Sequence, residues 1–368
     1  MKRLVLVGSG HAHLSVLRVL ACEKPTGIEV VLISPSSYQN YSGMLPGWIA
    51  GHYNKLQCQI DLKPLVQAAH VRLVVNSITG MNANLRCVYL AESKRIEYDL
   101  LSLNVGSETD LSWLEIPQEN LFPIRPLDNF IEAWPQILSF KQTKSDYRLV
   151  VVGGGGAGVE LALAAQYAFT RSDANGHVDL VVSESGLLFG FANGAQRRIH
   201  KILVEAGVSV HYLRAAGTKN GLMLSNGVAL IADCIIAATG AKAPIWLKHS
   251  KLMLDENEYI AVDEYHRSLS HPNVFAVGDV CSRQDLVMSR SGVHSVHVGP
   301  VLGANLLAAL KNGQMTIYKP RRYSLYLLAC GPRFAVASWG NWSIQGEWVW
   351  RWKDWIDQRF VKQFSGRI

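Results

Sequence analysis

The chain has 368 residues, 49% hydrophobic and 18% charged, with a formal net charge of +7. That length suits two or three domains, and the composition excludes a disordered, collagenous or disulfide-stapled chain. The positive charge suits anionic cofactors or an anionic surface. No basic cluster with interleaved aromatics stands out before residue 318, which argues against nucleic acid as a partner.

The chain opens on a strand-like run, Leu4-Val5-Leu6-Val7, which leaves no room for an export signal and sets the expectation of a cytoplasmic protein. No run of about 18 apolar residues stands out, so no spanning helix is predicted. The cysteines at 22, 58, 87, 234, 281 and 330 form no close pair and read as reduced thiols. After Val7 come Gly8-Ser9-Gly10-His11-Ala12-His13, a helix-like segment at 14–20, and an apolar strand at 28–33 that ends at Ser34-Pro35. Strands are predicted at 71–75, 86–90 and 100–105, the last followed by Gly106-Ser107. The run at 149–152 then leads into Gly153-Gly154-Gly155-Gly156-Ala157-Gly158, a helix-like 159–168 and a strand at 178–182. Strand, glycine turn, helix and strand thus occur twice, the layout of a parallel α/β unit. A helix at 196–205 precedes a strand at 208–212, the strand at 234–238 ends at Thr239-Gly240, and that at 274–277 ends at Gly278-Asp279. A helix is predicted from Gly299-Pro300 to 310, because proline suits a first helical turn. From Pro320 the tail turns basic and aromatic, with tryptophans at 339, 342, 348, 350, 352 and 355.

Gly153, Gly155 and Gly158 satisfy G-x-G-x-x-G between a strand and a helix. The first glycine permits the tight turn, the second lets backbone approach a pyrophosphate, and the third lets helix and strand pack closely. The free N–H groups of the helix N-terminus then face the phosphates. Glu184 follows Gly158 by 26 residues (184 minus 158), longer than the usual interval of about 20. A carboxylate at the end of that strand would bind ribose hydroxyls and repel a 2′-phosphate, favouring NADH over NADPH. The first turn is degenerate: Gly8 and Gly10 fit, but His13 stands where the third glycine belongs, and no acidic residue closes the next strand. His11 and His13, lacking further ligands, predict no metal; they either cap the helix or touch a pyrophosphate.

These two turns, Ala238-Thr239-Gly240 and Val274-Phe275-Ala276-Val277-Gly278-Asp279, in that order, resemble the pyridine nucleotide–disulfide oxidoreductase superfamily. The match extends to a subgroup also found fused ahead of selenide, water dikinase, through Val7-Gly8-Ser9-Gly10-His11-Ala12-His13-Leu14, Tyr41-Ser42-Gly43-Met44-Leu45-Pro46-Gly47 and Trp350-Arg351-Trp352-Lys353-Asp354. More distantly the chain looks like single-subunit NADH:quinone and sulfide:quinone oxidoreductases. The resemblance implies an α/β fold of two Rossmann-type three-layer units and a C-terminal α+β segment. It divides the chain into a first FAD-binding part at 1–145, an inserted NAD(P)H-binding domain at 146–240, a second FAD-binding part at 241–312 and an aromatic, basic segment at 313–368. It implies FAD held by Gly8, Ser9, Gly10, His11, Ala12, His13, Ser34, Pro35, Met44, Leu45, Pro46, Gly106, Ser107, Gly278, Asp279, Gly299 and Pro300. It implies NAD(P)H held by Gly153, Gly155, Gly158, Glu184, Thr239 and Gly240.

The expected activity is FAD-dependent NAD(P)H dehydrogenation with a quinone or other small acceptor. The alternative is a slow redox sensor or partner protein linked to selenium or sulfur metabolism. Disulfide reductases of this superfamily carry two cysteines near Tyr41 to Gly47, and none stands there, so no disulfide relay is expected. Cys330, after the apolar run at 326–329, is either a lone thiol near the acceptor site or, the reading favoured by how often cysteines are buried, a structural one. Glu160 resembles a catalytic carboxylate beside nicotinamide and flavin, or is merely an acid favoured in a first helical turn. His294 and His297 are either proton donors or structural. In the tail, Trp348, Trp352, Trp355, Ile356 and Phe360 fall at helical spacing. That stripe either packs on the flavin domain or at a dimer contact, or lies in a membrane interface.

Overall fold

Strands buried on both faces need continuous apolar runs, and this chain supplies two sets of them. The computed structural model describes all residues except 115–119, 143, 145, 172–175, 219–220, 289–291 and 366–368. The first set opens with β1 (Lys2–Val7), α1 (His11–Glu23), β2 (Ile28–Ser34), β3 (Arg72–Val75) and β4 (Leu100–Leu103). The second comprises β5 (Leu121–Pro123), α2 (Leu127–Gln142), β6 (Tyr147–Val152), α3 (Gly156–Arg171), β7 (Gly176–Val182), α4 (Asn193–Glu205), β8 (Ser209–Tyr212) and β9 (Cys234–Ala237). Then β10 (Val274–Ala276) returns to the first set and pairs Val274 with Leu101 of β4. The result is two parallel five-stranded sheets, ordered β10-β4-β1-β2-β3 and β5-β9-β6-β7-β8.

Alternation along the strands builds the layers. Leu4 and Leu6 face a core shared with α1, while Val5 and Val7 face a separate one. Leu149 and Val151 face α3 and α4, while Val150 and Val152 face Leu222 and Leu224. The run predicted at 86–90 forms a strand at 87–90, but in a small antiparallel sheet outside the two parallel ones.

The helix expected to begin at Gly299-Pro300 instead starts seven residues earlier, as α5 (Gly292–Lys311). Packing outweighs the proline signal here, because Val298, Leu302, Leu306 and Leu310 continue one buried face. Gly299 and Gly303 lie one turn apart against α1. A Cβ at Gly299 would stand 2.6 Å from Ser15 Cβ, and one at Gly303 would stand 2.9 Å from Val19 Cγ2. Both glycines therefore serve helix–helix contact. Among the described residues α5 alone is long and apolar enough to cross a bilayer, and over half of it is buried within the protein.

The tail forms a three-stranded antiparallel sheet, β11 (Leu325–Ala329), β12 (Ala335–Trp339) and β13 (Trp342–Gly346), followed by α6 (Glu347–Ser365). The face of α6 that packs inward is not the one the tryptophan spacing suggests. Val349, Trp350, Lys353, Asp357, Phe360, Val361 and Phe364 are buried, whereas Trp348, Trp352 and Trp355 are exposed. Specific partners select that face. Lys353 Nζ donates to Asp357 Oδ2 and to the Gly43 carbonyl, both at 2.6 Å, and Tyr53 donates to Asp354 Oδ1 at 2.6 Å.

Candidate active site

One open cleft of about 2560 Å³ runs along the carboxyl ends of both sheets. Crevices in that position are where open parallel sheets bind their ligands.

The first glycine turn forms one end. Gly8 has φ +86, and a Cβ there would collide with the Asn104 carbonyl. Gly10 sits as tightly against the Asn104 side chain, whose Nδ2 donates to the Val277 carbonyl at 2.9 Å. Asn104, which sequence reasoning did not single out, thus clamps the turn to the end of β10. His13 takes the third glycine's place by turning inward. It is fully buried, Nδ1 lies 2.6 Å from the Gly8 carbonyl, and Nε2 lies 2.8 Å from Ser102 Oγ. Burial lowers its pKa to about 4 despite the Gly8 contact. The structure therefore places His13, with buried Ala12, behind the turn rather than in the cleft.

His11 faces the cleft. Its ring lies edge-on to Tyr41 and Phe360, and burial lowers its pKa to about 4. Ser9 lines the cleft and donates to Gln39 Oε1 at 2.7 Å. Ser34, 3.0 Å from it, is sealed beneath, while Pro35 lines the wall. Leu45, Pro46, Gly106, Ser107 and Asp279 also line the cleft. Met44 is buried below them, and Gly278 stands behind Asp279 against Asn104 and Ser295. Gly299 and Pro300 lie outside the lining, on α5. His11 Nε2 and Ser107 Oγ are buried without a hydrogen-bond partner among the described residues. Two orphaned polar atoms beside exposed backbone at a helix start fit a polyhydroxylated, phosphate-bearing cofactor such as FAD.

At the second turn Gly153 has φ +134 and abuts the Ala238 carbonyl, while Gly158 abuts the Gly153 carbonyl. Those two close the helix–strand packing. A Cβ at Gly155 would meet nothing within 4 Å, so here the backbone opens onto the cleft, as close approach to a pyrophosphate requires. Thr239 and Gly240 line the neighbouring wall, and Thr239 Oγ1 donates to the Asp110 carbonyl at 2.5 Å. Glu184 does not close β7. The strand ends at Val182, Ser183 follows in the lining, and Glu184 is exposed on the next turn, outside it.

Glu160, in the first turns of α3, lines the floor and accepts a hydrogen bond from the Ala329 amide at 2.8 Å. Burial raises its pKa to about 7, against the opposing pull of Lys353 and that amide. Lys353 and Asp357 line the same floor, and Tyr41 donates to Asp357 Oδ1 at 3.1 Å. Burial works against the Lys353 ammonium, but Asp357 and then Glu160 outweigh it, so its pKa stays above the ordinary value. Burial, and then the Asp357 carboxylate, push the Tyr41 phenol well above its ordinary value. His294 and His297 also line the cleft. Burial lowers both, reinforced by His297 on His294 and by Arg321 on His297. None of the six cysteines lines the cleft. Cys330 is buried, and its thiol is pushed well up, first by burial and then by Glu160.

Comparison with known proteins agrees with this geometry. The chain is 25% identical to an NADH dehydrogenase-like protein of Mycobacterium tuberculosis over 83% of this chain and 80% of that one. It is 24% identical to the alternative NAD(P)H-ubiquinone oxidoreductase C1 of Arabidopsis thaliana, over 77% of this chain and 60% of that one. Its fold superposes on the sulfide:quinone oxidoreductase of Aquifex aeolicus with a TM-score of 0.82 and 16% identity, covering 99% and 92% of the two chains. It superposes on NDH2 of Plasmodium falciparum in complex with NADH with a TM-score of 0.81 and 14% identity, covering 100% and 99%. Residues 2–299 match the pyridine nucleotide-disulphide oxidoreductase family. The chain belongs to that family and is an FAD-dependent NAD(P)H oxidoreductase.

Proposed function

We propose that this protein oxidises NAD(P)H and reduces a quinone or another small apolar acceptor, without a redox-active disulfide. The observation that carries the reading is the shared cleft: both glycine turns open into it, Glu160 and Lys353 form its floor, and no cysteine lines it. FAD, when bound, supplies a carrier that takes hydride from the nicotinamide and passes two electrons onward. Gly8, Gly10, His11, Ser107 and Asp279 would hold it. The open backbone at Gly155 and the start of α3 would hold the NAD(P)H pyrophosphate. In our division of the chain, 146–240 carries the nucleotide, and 1–145 with 241–312 carries the flavin.

The chain's own chemistry is positioning and proton supply. Turnover consumes one proton beyond the transferred hydride: NAD(P)H, a proton and a quinone give NAD(P)⁺ and a quinol. Glu160, with a pKa near 7, can hold and release that proton near neutrality. Lys353 would offer a fixed cation on the cleft floor to an acceptor that gathers negative charge there. Asp357, Gly43 and Tyr41 keep that cation in place.

The acceptor's entry is aromatic. Trp339 and Trp352 line the cleft and are also exposed, and exposed Trp342, Trp348 and Trp355 continue the surface. Exposed Arg351, Arg359 and Lys362 flank them, with Arg359 stacked 5.2 Å over the Trp355 ring. Tryptophans beside basic residues suit the headgroup region of a bilayer. We place the protein on the cytoplasmic face of a membrane, held by this surface, rather than in a dimer through it.

The test is an anaerobic titration of FAD-loaded protein with NADH and NADPH, followed by a soluble quinone. Bleaching by nucleotide and recovery with quinone are expected. A protein that stays colourless after FAD loading, or a flavin that neither nucleotide bleaches, would overturn the reading.

A further inference from the structure

Outside the cleft, three segments far apart in the chain bring basic groups and aromatic rings together around His52. His52 follows the short helix Leu45–Ile49, and its Nε2 lies 2.8 Å from the Gly331 carbonyl oxygen, in the turn between β11 and β12. That turn is seated on α3: Gly331 has φ +86, and a Cβ there would stand 2.7 Å from the Leu163 carbonyl. The Cys330 amide donates to the Phe334 carbonyl at 3.0 Å across it. The His52 ring stands beside two others, Tyr167 of α3 and Trp350 of α6, each with its centroid 5.5 Å away. Each of those rings carries a guanidinium. Arg171, at the end of α3, lies 5.8 Å over Tyr167, and Arg333, in the β11–β12 turn, lies 5.5 Å over Trp350. A Cβ on Gly51 would stand 3.5 Å from Arg171 Nη1, so Arg171 reaches back to the backbone beside His52. None of these side chains lines the cleft.

The cluster holds cations without an anion. Arg171 and Arg333 are exposed, and neither pairs with a carboxylate among the described residues. Asp354, the carboxylate that bears on His52, is taken up by Tyr53 and Gln358, which both donate to it. Burial lowers the His52 pKa, and against the pull of the Gly331 carbonyl the two guanidiniums lower it further. The rings hold the guanidiniums in place by cation–π contact, so part of the cost of ordering them is met before any ligand arrives. A guanidinium presents paired donors matched to phosphate oxygens, and two of them balance a double negative charge.

We propose that Arg171, Arg333 and His52 bind a dianionic phosphate group, free or on a lipid headgroup, at a surface separate from the cleft. The site is independent of the donor and acceptor readings above.

The probe for the free ion is inorganic phosphate, titrated by calorimetry into FAD-loaded protein with NAD⁺ present to occupy the cleft. The probes for the headgroup are vesicles containing phosphatidic acid, whose phosphate is terminal, and vesicles of equal charge containing phosphatidylserine, read by sedimentation. Arg171→Ala with Arg333→Ala is compared with Lys319→Ala with Arg322→Ala, an equal loss of charge elsewhere on the surface. The first pair should weaken phosphate binding about tenfold or more, the scale of lost charge-assisted hydrogen bonds, and the second less than about twofold. Arg171→Lys with Arg333→Lys should recover part of the loss, because the charges remain. Phosphate binding that follows this pattern makes the free ion a ligand. A preference for phosphatidic acid over phosphatidylserine that only the first pair abolishes makes the headgroup the ligand. A wild type that neither binds phosphate nor prefers phosphatidic acid would overturn the proposal, as would binding that both pairs weaken equally or that the first pair leaves intact.

Discussion

Replacing Glu160 by Gln should change how stability depends on pH, and the direction follows from burial. The carboxyl has a pKa of about 7 in the folded protein against 4.5 as its ordinary value. A group whose folded pKa is raised favours the fold most below the unfolded value, and that contribution is lost as pH rises through the folded value. The difference is about 2.5 units, at about 1.36 kcal/mol each, or about 3 kcal/mol; screening at its cleft-facing edge leaves about 2 to 3 kcal/mol. Gln keeps an oxygen for the Ala329 amide but cannot ionise. Urea unfolding of FAD-loaded wild type and E160Q should therefore give a difference that grows in favour of E160Q by about 2 to 3 kcal/mol between pH 4.5 and 7.5, then levels off. His11, His13 and His266, whose pKa values burial lowers to about 4, titrate in both proteins and cancel from the difference. Parallel curves for the two proteins would refute the reasoning, because they would mean the carboxylate is already ionised and satisfied in the fold.

Lys353→Met would leave Asp357 buried without its cation and should cost about 3–5 kcal/mol in urea unfolding; adding Asp357→Leu should recover most of the loss, since an apolar pair replaces the ion pair. Gly155→Ala and Gly158→Ala should part company. The first meets open space and should leave thermal stability unchanged while raising KM for both nucleotides; the second drives a methyl into the Gly153 carbonyl and should lower the melting temperature itself. Trp348→Ser with Trp355→Ser should leave thermal unfolding unchanged, because both side chains are exposed, yet should reduce sedimentation with anionic phospholipid vesicles several-fold.

The parts of this fold legible in the sequence are those set by local repetition. Both strand–glycine–helix units follow from apolar runs that can only be doubly buried strands, and from glycines whose missing Cβ is required at Gly8, Gly153 and Gly158. The departures arise where a distant partner decides. His13 breaks the glycine fingerprint, yet it rebuilds the same close contact through its own ring, bonding Gly8 and Ser102 from behind the turn. Proline signalled a helix start at 300, but glycines pressed on Ser15 and Val19 extend the helix to Gly292 through contacts invisible to a local rule. Glu184 looked like the end of its strand because serine and glutamate there carry no periodicity to fix the boundary, and a two-residue shift moves it out of the cleft.

The C-terminal helix is the fullest case, because its aromatic stripe and its buried face differ. Six tryptophans in the tail draw attention to burial, but a tryptophan stripe can equally face outward to a surface of its own. The readable signal was the i, i+4 pair Lys353–Asp357 within an apolar, aromatic helix. Such a pair is costly to bury and persists only where each charge has further partners, which here are the Gly43 carbonyl and the Tyr41 phenol. Those partners come from the segment Tyr41 to Gly47, more than three hundred residues earlier. The motif that carried the subgroup resemblance near the start of the chain and the Trp-Arg-Trp-Lys-Asp motif near its end are therefore two halves of one structure. One gives the carbonyl and phenol, the other the ammonium, with the carboxylate of Asp357 one turn further along the same helix, and together they seat a cation on the cleft floor beside Glu160.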